Sequence, residues 1–269
     1  MRPLILFLAL LLANLAHAGE NAQVLVVGNS LTYVNNLPAL FNGLVDAQPG
    51  GLRWHADLMG AAGGSLAERW QDGAVARELA SGKWQALVLQ ERGGTLACQA
   101  NPQARGEGEC AQSAAAHRRF IELAQQYNVR VIVLGTWGPD AIWQGKLSRG
   151  GKRVAGKAEF LDVGPLVRDY GKAHANTPMT SDAILRPTLD ASLLVAGALY
   201  RQLTGNTPQA LAFETRAPML PPLAALDPKQ PLSQQPALAG DGSVTKIEVA
   251  RLQPLLAAVA AMEISPSGK

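Results

Sequence analysis

Residues 24–32 read Val24-Leu25-Val26-Val27-Gly28-Asn29-Ser30-Leu31-Thr32. Four apolar, mostly β-branched residues in a row are what a strand buried on both faces of a parallel sheet requires. Gly28 lets the backbone turn without a Cβ penalty. Asn29 and Ser30 then fall where the strand hands over to a helix, outside the carboxyl end of the sheet. Open α/β sheets keep their ligand sites there. That position makes Ser30 a candidate nucleophile on a rigid turn. Ser and Asn are also preferred helix caps, so on these nine residues alone the two roles weigh equally.

Working outward, the chain repeats the passage from strand to helix. Residues 36–47 carry a helical stripe of Leu37, Leu40, Phe41 and Leu44, and Gln48-Pro49-Gly50-Gly51 stops it. Strands are expected at 52–59, 84–91 and 129–134, and helices at 67–80, 114–127, 189–203 and 246–262. Residues 160–173 read as mostly helical. Residues 208–238, rich in Pro, Ala and Leu, read as an irregular arm. Residues 143–157 carry Lys146, Arg149, Lys152, Arg153 and Lys157 among glycines. They read as a solvated loop, or as a lid that attracts an anionic ligand such as an acidic polysaccharide. No repeat divides the chain. The pattern predicts one three-layer α/β/α sandwich of flavodoxin-like topology, with a mainly parallel sheet of about five strands, over residues 19–269.

The first eighteen residues form their own class. Arg2 precedes a nearly unbroken apolar run from Leu4 to Leu15, and Ala16-His17-Ala18 ends it with small residues at the two recognition positions. This is the pattern of a secretory signal peptide cleaved after Ala18, too short to span a membrane lastingly. About 250 of the 269 residues then remain, enough for one sizeable core. A net charge of +3 argues against nucleic acid, which needs a concentrated basic face. The two cysteines, Cys98 and Cys110, read in an exported chain as one local disulfide. Without nearby histidines they make a poor metal site, and no metal or organic cofactor is expected.

Gly28-Asn29-Ser30-Leu31-Thr32 resembles the first block of the SGNH (GDSL-type) hydrolases in its Gly-Asn-Ser-Leu form. Gly60-Ala61-Ala62-Gly63-Gly64-Ser65-Leu66 enters the next helix without the Lys-Ser/Thr ending of a phosphate-binding loop. It is similar to the second block, whose glycine lends an N–H to the oxyanion hole. The resemblance implies that role for Gly64, with Gly63 in reserve. The third block supplies an amide donor in related proteins, and Val88-Leu89-Gln90-Glu91 resembles the branch with glutamine there. Gln90 has the required donor. The oxyanion hole expected from the resemblance is thus Ser30 N–H, Gly64 N–H and Gln90. Asn29, Glu91 and Trp137 are expected to line the substrate pocket, Trp137 by stacking at its mouth. Residues 92–112, stapled by the disulfide, should form a wall or lid over it.

The last block of the family is Asp-x-x-His, where His is the general base and Asp orients it. Here residues 181–189 read Ser181-Asp182-Ala183-Ile184-Leu185-Arg186-Pro187-Thr188-Leu189. Arg186 stands where the histidine is expected, and Asp182 lies one residue too far upstream. Arginine stays protonated and cannot take a proton from Ser30. The remaining histidines are His55, His117 and His174, none in the expected pattern; His174 would reach the site only if its segment folds back. The resemblance therefore implies an exported serine ester hydrolase, such as a carbohydrate O-acetylesterase or short-chain acyl esterase. The alternative is a catalytically degenerate domain that binds a glycan or envelope partner without cleaving it.

Overall fold

The computed structural model describes residues 21–50 and 53–263. The expected leader at 1–18 lies outside the described residues. Five parallel strands form the central sheet: β1 (Ala22–Gly28), β2 (Trp54–Gly60), β3 (Ala86–Gln90), β4 (Arg130–Leu134) and β5 (Glu159–Leu161). Their order is β2-β1-β3-β4-β5. Residues along β1 alternate between two separate cores. Val24 and Val26 pack with Leu40, Phe41, Leu194 and Leu256, whereas Leu25 and Val27 pack with Leu66, Leu79 and Phe120. A strand covered on both faces must be apolar throughout, which is why 24–27 shows no alternation in sequence.

The helices supply those two layers. On the first face lie α2 (Leu37–Ala47), α8 (Leu189–Thr204) and α9 (Val249–Ala261). On the second lie α3 (Leu66–Gln71), α4 (Ala74–Leu79) and α5 (Gly108–Gln126). A one-turn helix, α1 (Ser30–Tyr33), links β1 to α2. The three-layer sandwich with a five-stranded parallel sheet is as expected. Because β1 leads to β2 on one side and β3 lies on the other, the strand order reverses between β1 and β3. Such a switch point opens a crevice at the carboxyl ends of its two strands. Ser30 follows one of those strands and Gln90 ends the other.

Several boundaries differ from the sequence reading. The expected helix at 67–80 is two helices, α3 and α4, broken where Gly73 takes a positive φ of 66°. Residues 159–161 are strand β5, and helix α7 begins only at Val163 (Val163–Ala173). The arm at 208–238 is largely irregular, but it contains β6 (Phe213–Thr215), which pairs antiparallel with β7 (Thr245–Ile247). The last helix therefore starts three residues late.

The largest correction concerns the basic stretch. Residues 141–155 are helix α6 (Ala141–Ala155), capped by the Asp140 carboxylate, which accepts from Trp143 N at 2.8 Å. They are no loop. Gly150 and Gly151 sit on the buried face: a Cβ at Gly150 would lie 1.8 Å from Leu96 O, and one at Gly151 would strike the Phe160 ring. Their absent side chains let the helix press against a 3-10 segment (Gly93–Ala100). Among the described residues no helix is long and apolar enough to cross a membrane.

Candidate active site

The turn after β1 is fastened by Asn29, which is almost fully buried. Its Oδ1 accepts from Leu31 N at 3.1 Å and so caps α1. Its Nδ2 donates to Gly64 O at 3.0 Å, and its backbone N–H donates to Gln90 Oε1 at 3.0 Å. One residue thereby joins the ends of β1 and β3 and the loop after β2, the three blocks singled out in the sequence. Gly28 is required beside it, since a Cβ there would lie 2.5 Å from Thr32 Oγ1 and 2.7 Å from Gln90 Oε1.

Ser30 is partly exposed on this turn. Among the described residues its Oγ makes no hydrogen bond and its N–H has no acceptor. The hydroxyl and one donor are thus unspent. The other expected oxyanion donors are engaged elsewhere. Gly64 N–H donates to Ala61 O at 3.1 Å. Gln90 Nε2 donates to the neighbouring Glu91 O, while its Oε1 holds the Asn29 N–H. The glutamine amide thus holds the turn through its oxygen and its own strand end through its nitrogen.

Glu91 and Trp137, expected in the pocket wall, are buried in supporting positions. Glu91 Oε1 accepts from Arg92 N at 2.7 Å and Leu66 N at 3.3 Å, and its Oε2 accepts from Ser113 Oγ at 2.6 Å. It ties the entry of α3 to α5. Close by, His117 is fully buried: Nδ1 contacts Ser113 O at 2.8 Å, and Nε2 has no partner. Burial holds this imidazole below its ordinary pKa, against the raising effect of the Glu91 charge and the Ser113 carbonyl. Trp137 sits in the core and donates Nε1–H to Leu185 O at 2.7 Å. It holds the 182–187 turn and offers no open face for stacking.

That turn carries the fourth block. Asp182 Oδ1 accepts from Ile184 N and Arg186 N, each at 3.1 Å, and Oδ2 accepts from Arg186 Nη1 at 2.8 Å. Burial raises the Asp182 pKa, but the hydrogen bonds from Arg186 and its charge outweigh this and hold the carboxyl below its ordinary value. Leu185, with φ of 62°, absorbs the additional residue between Asp182 and Arg186. The turn is anchored against α1 by Asn35, whose Nδ2 donates to Pro187 O at 3.0 Å and Ser192 Oγ at 3.1 Å. The Tyr33 hydroxyl, bonded to Pro222 O, lies within reach of the Arg186 charge. Burial raises the Tyr33 pKa and Arg186 lowers it in part. So the Asp182–Arg186 pair borders the helix that begins with Ser30. Asn35 and Tyr33 were not foreseen; the one signal was the Asn35-Asn36 pair, both now at positive φ, a conformation asparagine tolerates.

Among the described residues no histidine enters this arrangement. His174 caps the far end of α7, stacked on Tyr170 at 4.1 Å. That helix leaves the carboxyl edge of β5 and runs for 11 residues, about 16 Å, toward the opposite edge. The expected Cys98–Cys110 disulfide is present. Among the described residues no cluster of His, Cys, Asp or Glu is arranged to hold a metal ion.

Comparison of the sequence with family models and with curated proteins finds no match. Comparison of the structure does. The acetylxylan esterase Axe2 from Geobacillus stearothermophilus superposes with a TM-score of 0.51 at 15% identity, covering 70% of this chain and 96% of that one. An aspartate-to-alanine catalytic variant of it gives 0.53 at 15% identity, over 69% and 95%. A tryptophan-to-isoleucine variant, described as an acetyl-xylooligosaccharide esterase, gives 0.51 at 14% identity, over 70% and 96%. Catalytic variants of that enzyme replace a serine, an aspartate and a histidine, the last two three residues apart. The likeness is one of fold: this chain shares the three-layer α/β/α architecture of these esterases.

Proposed function

We propose that this chain is an exported domain that binds a carbohydrate ester at Ser30 on a hydrolase scaffold and turns it over slowly or not at all. The observation that carries this reading is the Arg186 guanidinium bonded to Asp182 where the resemblance calls for an imidazole. A serine hydroxyl is a weak nucleophile until a neighbouring base takes its proton. The arginine keeps its own proton and uses Asp182, so it neither accepts one nor leaves the carboxylate to orient a base. Loss of a positioned general base typically lowers a rate by about 10²–10⁴-fold. What remains at Ser30 is a free hydroxyl and a free N–H, with the Asp182–Arg186 pair bordering its helix. Those groups suit holding an ester carbonyl or its carboxylate product. Carbohydrate esters are favoured because the structural neighbours include an acetylxylan esterase. Export is supported by the apolar leader in the sequence and by the disulfide.

An active esterase is the second reading, favoured by the partly exposed and unpartnered Ser30 hydroxyl. Acetate release from an acetylated xylo-oligosaccharide, measured beside calorimetric binding of the same compound, separates the two. Binding with release no faster than that of Ser30→Ala supports the first. Rapid release abolished by Ser30→Ala overturns it.

A further inference from the structure

A cleft of about 610 Å³ lies between helix α6 and the disulfide-stapled segment that follows β3. Trp143, Lys146 and Arg149 line it from the helix, and Thr95, Asn101 and the Cys98–Cys110 bridge from the other wall. The Trp143 indole is 39% exposed, and among the described residues its N–H has no acceptor. Lys146 Nζ sits 5.5 Å from the indole centroid. The acid at the rim, Glu109, is already neutralised by Arg92 at 2.6 Å. Lys146 and Arg149 have no ion-pair partner among the described residues. Arg149 also lines a second cleft, of about 460 Å³, together with Lys152 and Lys157; of the acids there, Glu159 is paired with Arg130, and Asp162 and Glu263 complete the lining. A basic ridge thus runs along α6 from one cleft into the next, with an aromatic face at its start.

We infer that this ridge and its clefts bind an anionic saccharide chain, with Trp143 stacking on a sugar ring and Lys146, Arg149 and Lys152 pairing with successive carboxylates. A flat indole beside unpaired cations matches a polymer of apolar sugar faces and regularly spaced acids. Lys146, Arg149 and Lys152 span about 9 Å along the helix, the length of about two linked sugars. Nucleic acid has the same two features, bases and phosphates. The cleft wall, however, is a disulfide, which forms and persists in oxidising compartments outside the cytosol, where acidic glycans are the common polyanions. The inference is independent of what happens at Ser30, since it requires neither an ester nor a nucleophile.

The test uses the exported chain and an unacetylated oligouronate, so that failure here says nothing about ester binding. Calorimetric titration is run with the oligouronate, with a neutral xylo-oligosaccharide of equal length, and with a single-stranded DNA of equal charge. The oligouronate is expected to bind at least about tenfold more tightly than either control, and less tightly as salt rises. Lys146→Glu/Arg149→Glu and the milder Lys146→Gln/Arg149→Gln should both weaken it, the former by about tenfold or more. Trp143→Ala should weaken it too. These side chains are exposed, and thermal melting checks that the variants fold. Equal affinity for DNA, equal affinity for the neutral sugar, no binding, or full affinity in the charge-reversed variant would each overturn the inference.

Discussion

At Asn29 a side-chain amide and a backbone N–H join three segments that lie far apart in sequence. The neighbouring Gly28 leaves room for the Gln90 carbonyl that receives one of those bonds. Gly28→Ala is therefore expected to push Gln90 away and release the turn. Its test is a fall in thermal stability together with a loss of ester binding, with the isolated Ser30→Ala change lowering neither Tm nor secondary structure. His117 gives a second prediction. Burial keeps its imidazole below the ordinary 6.5, so the unfolded chain takes up a proton that the folded chain refuses. Stability should be complete above pH 6.5 and fall below it, by up to about 1.4 kcal/mol per pH unit. His117→Gln should flatten that slope. Denaturant unfolding of both proteins between about pH 7.5 and 5.5 measures it, and parallel slopes would contradict the assignment. Gln90 and Glu91 were visible in the sequence as strand-end polar residues, but not what they bind. A side chain's partner depends on which loop faces it across the sheet, and that is a matter of tertiary packing.

Among the elements, helix α6 was hidden for a definable reason. Its inward face is Gln144, Leu147, Gly150, Gly151 and Ala155, and glycine and glutamine there break the apolar stripe that marks a buried helix. Those glycines exist for contact with another backbone. Gly150→Ala would place a Cβ 1.8 Å from Leu96 O, so the helix must shift, at a cost of about 2–3 kcal/mol and roughly 5–10 °C in Tm. Gly145→Ala meets only the flexible end of Arg149, at 3.3 Å, and should hold or raise Tm through better helix propensity. Equal effects of the two changes on melting would refute the close-packing account. The opposite wall of that contact is stapled by Cys98–Cys110, across 12 residues. Its loss, in Cys98→Ser/Cys110→Ser, should lower stability by about 3 kcal/mol. Short β5 was missed because three residues carry too little pattern; β1, β3 and β4 were legible because both of their faces are buried.

Over the whole molecule, the order β2-β1-β3-β4-β5 puts its reversal beside Ser30, and the fourth block returns to the same edge through the 182–187 turn. The architecture and the serine turn could be read from residues 24–32 and the strand-helix alternation. So could the absence of a histidine at position 186. What could not be read is that Asp182 stays folded onto Arg186 with Leu185 taking up the additional residue. That arrangement also suggests how catalysis is restored. Asp182 Oδ1 is held by two backbone N–H groups, so replacing the guanidinium leaves Oδ2 to orient an imidazole. The most direct measurement is acetate release from an acetyl ester by the native chain, Arg186→His, and Arg186→His/Ser30→Ala. The account predicts a native rate near the buffer blank, a rise of at least about tenfold in Arg186→His, and return to the native level in the double variant. A fast native rate that Arg186→His leaves unchanged or lowers would contradict it.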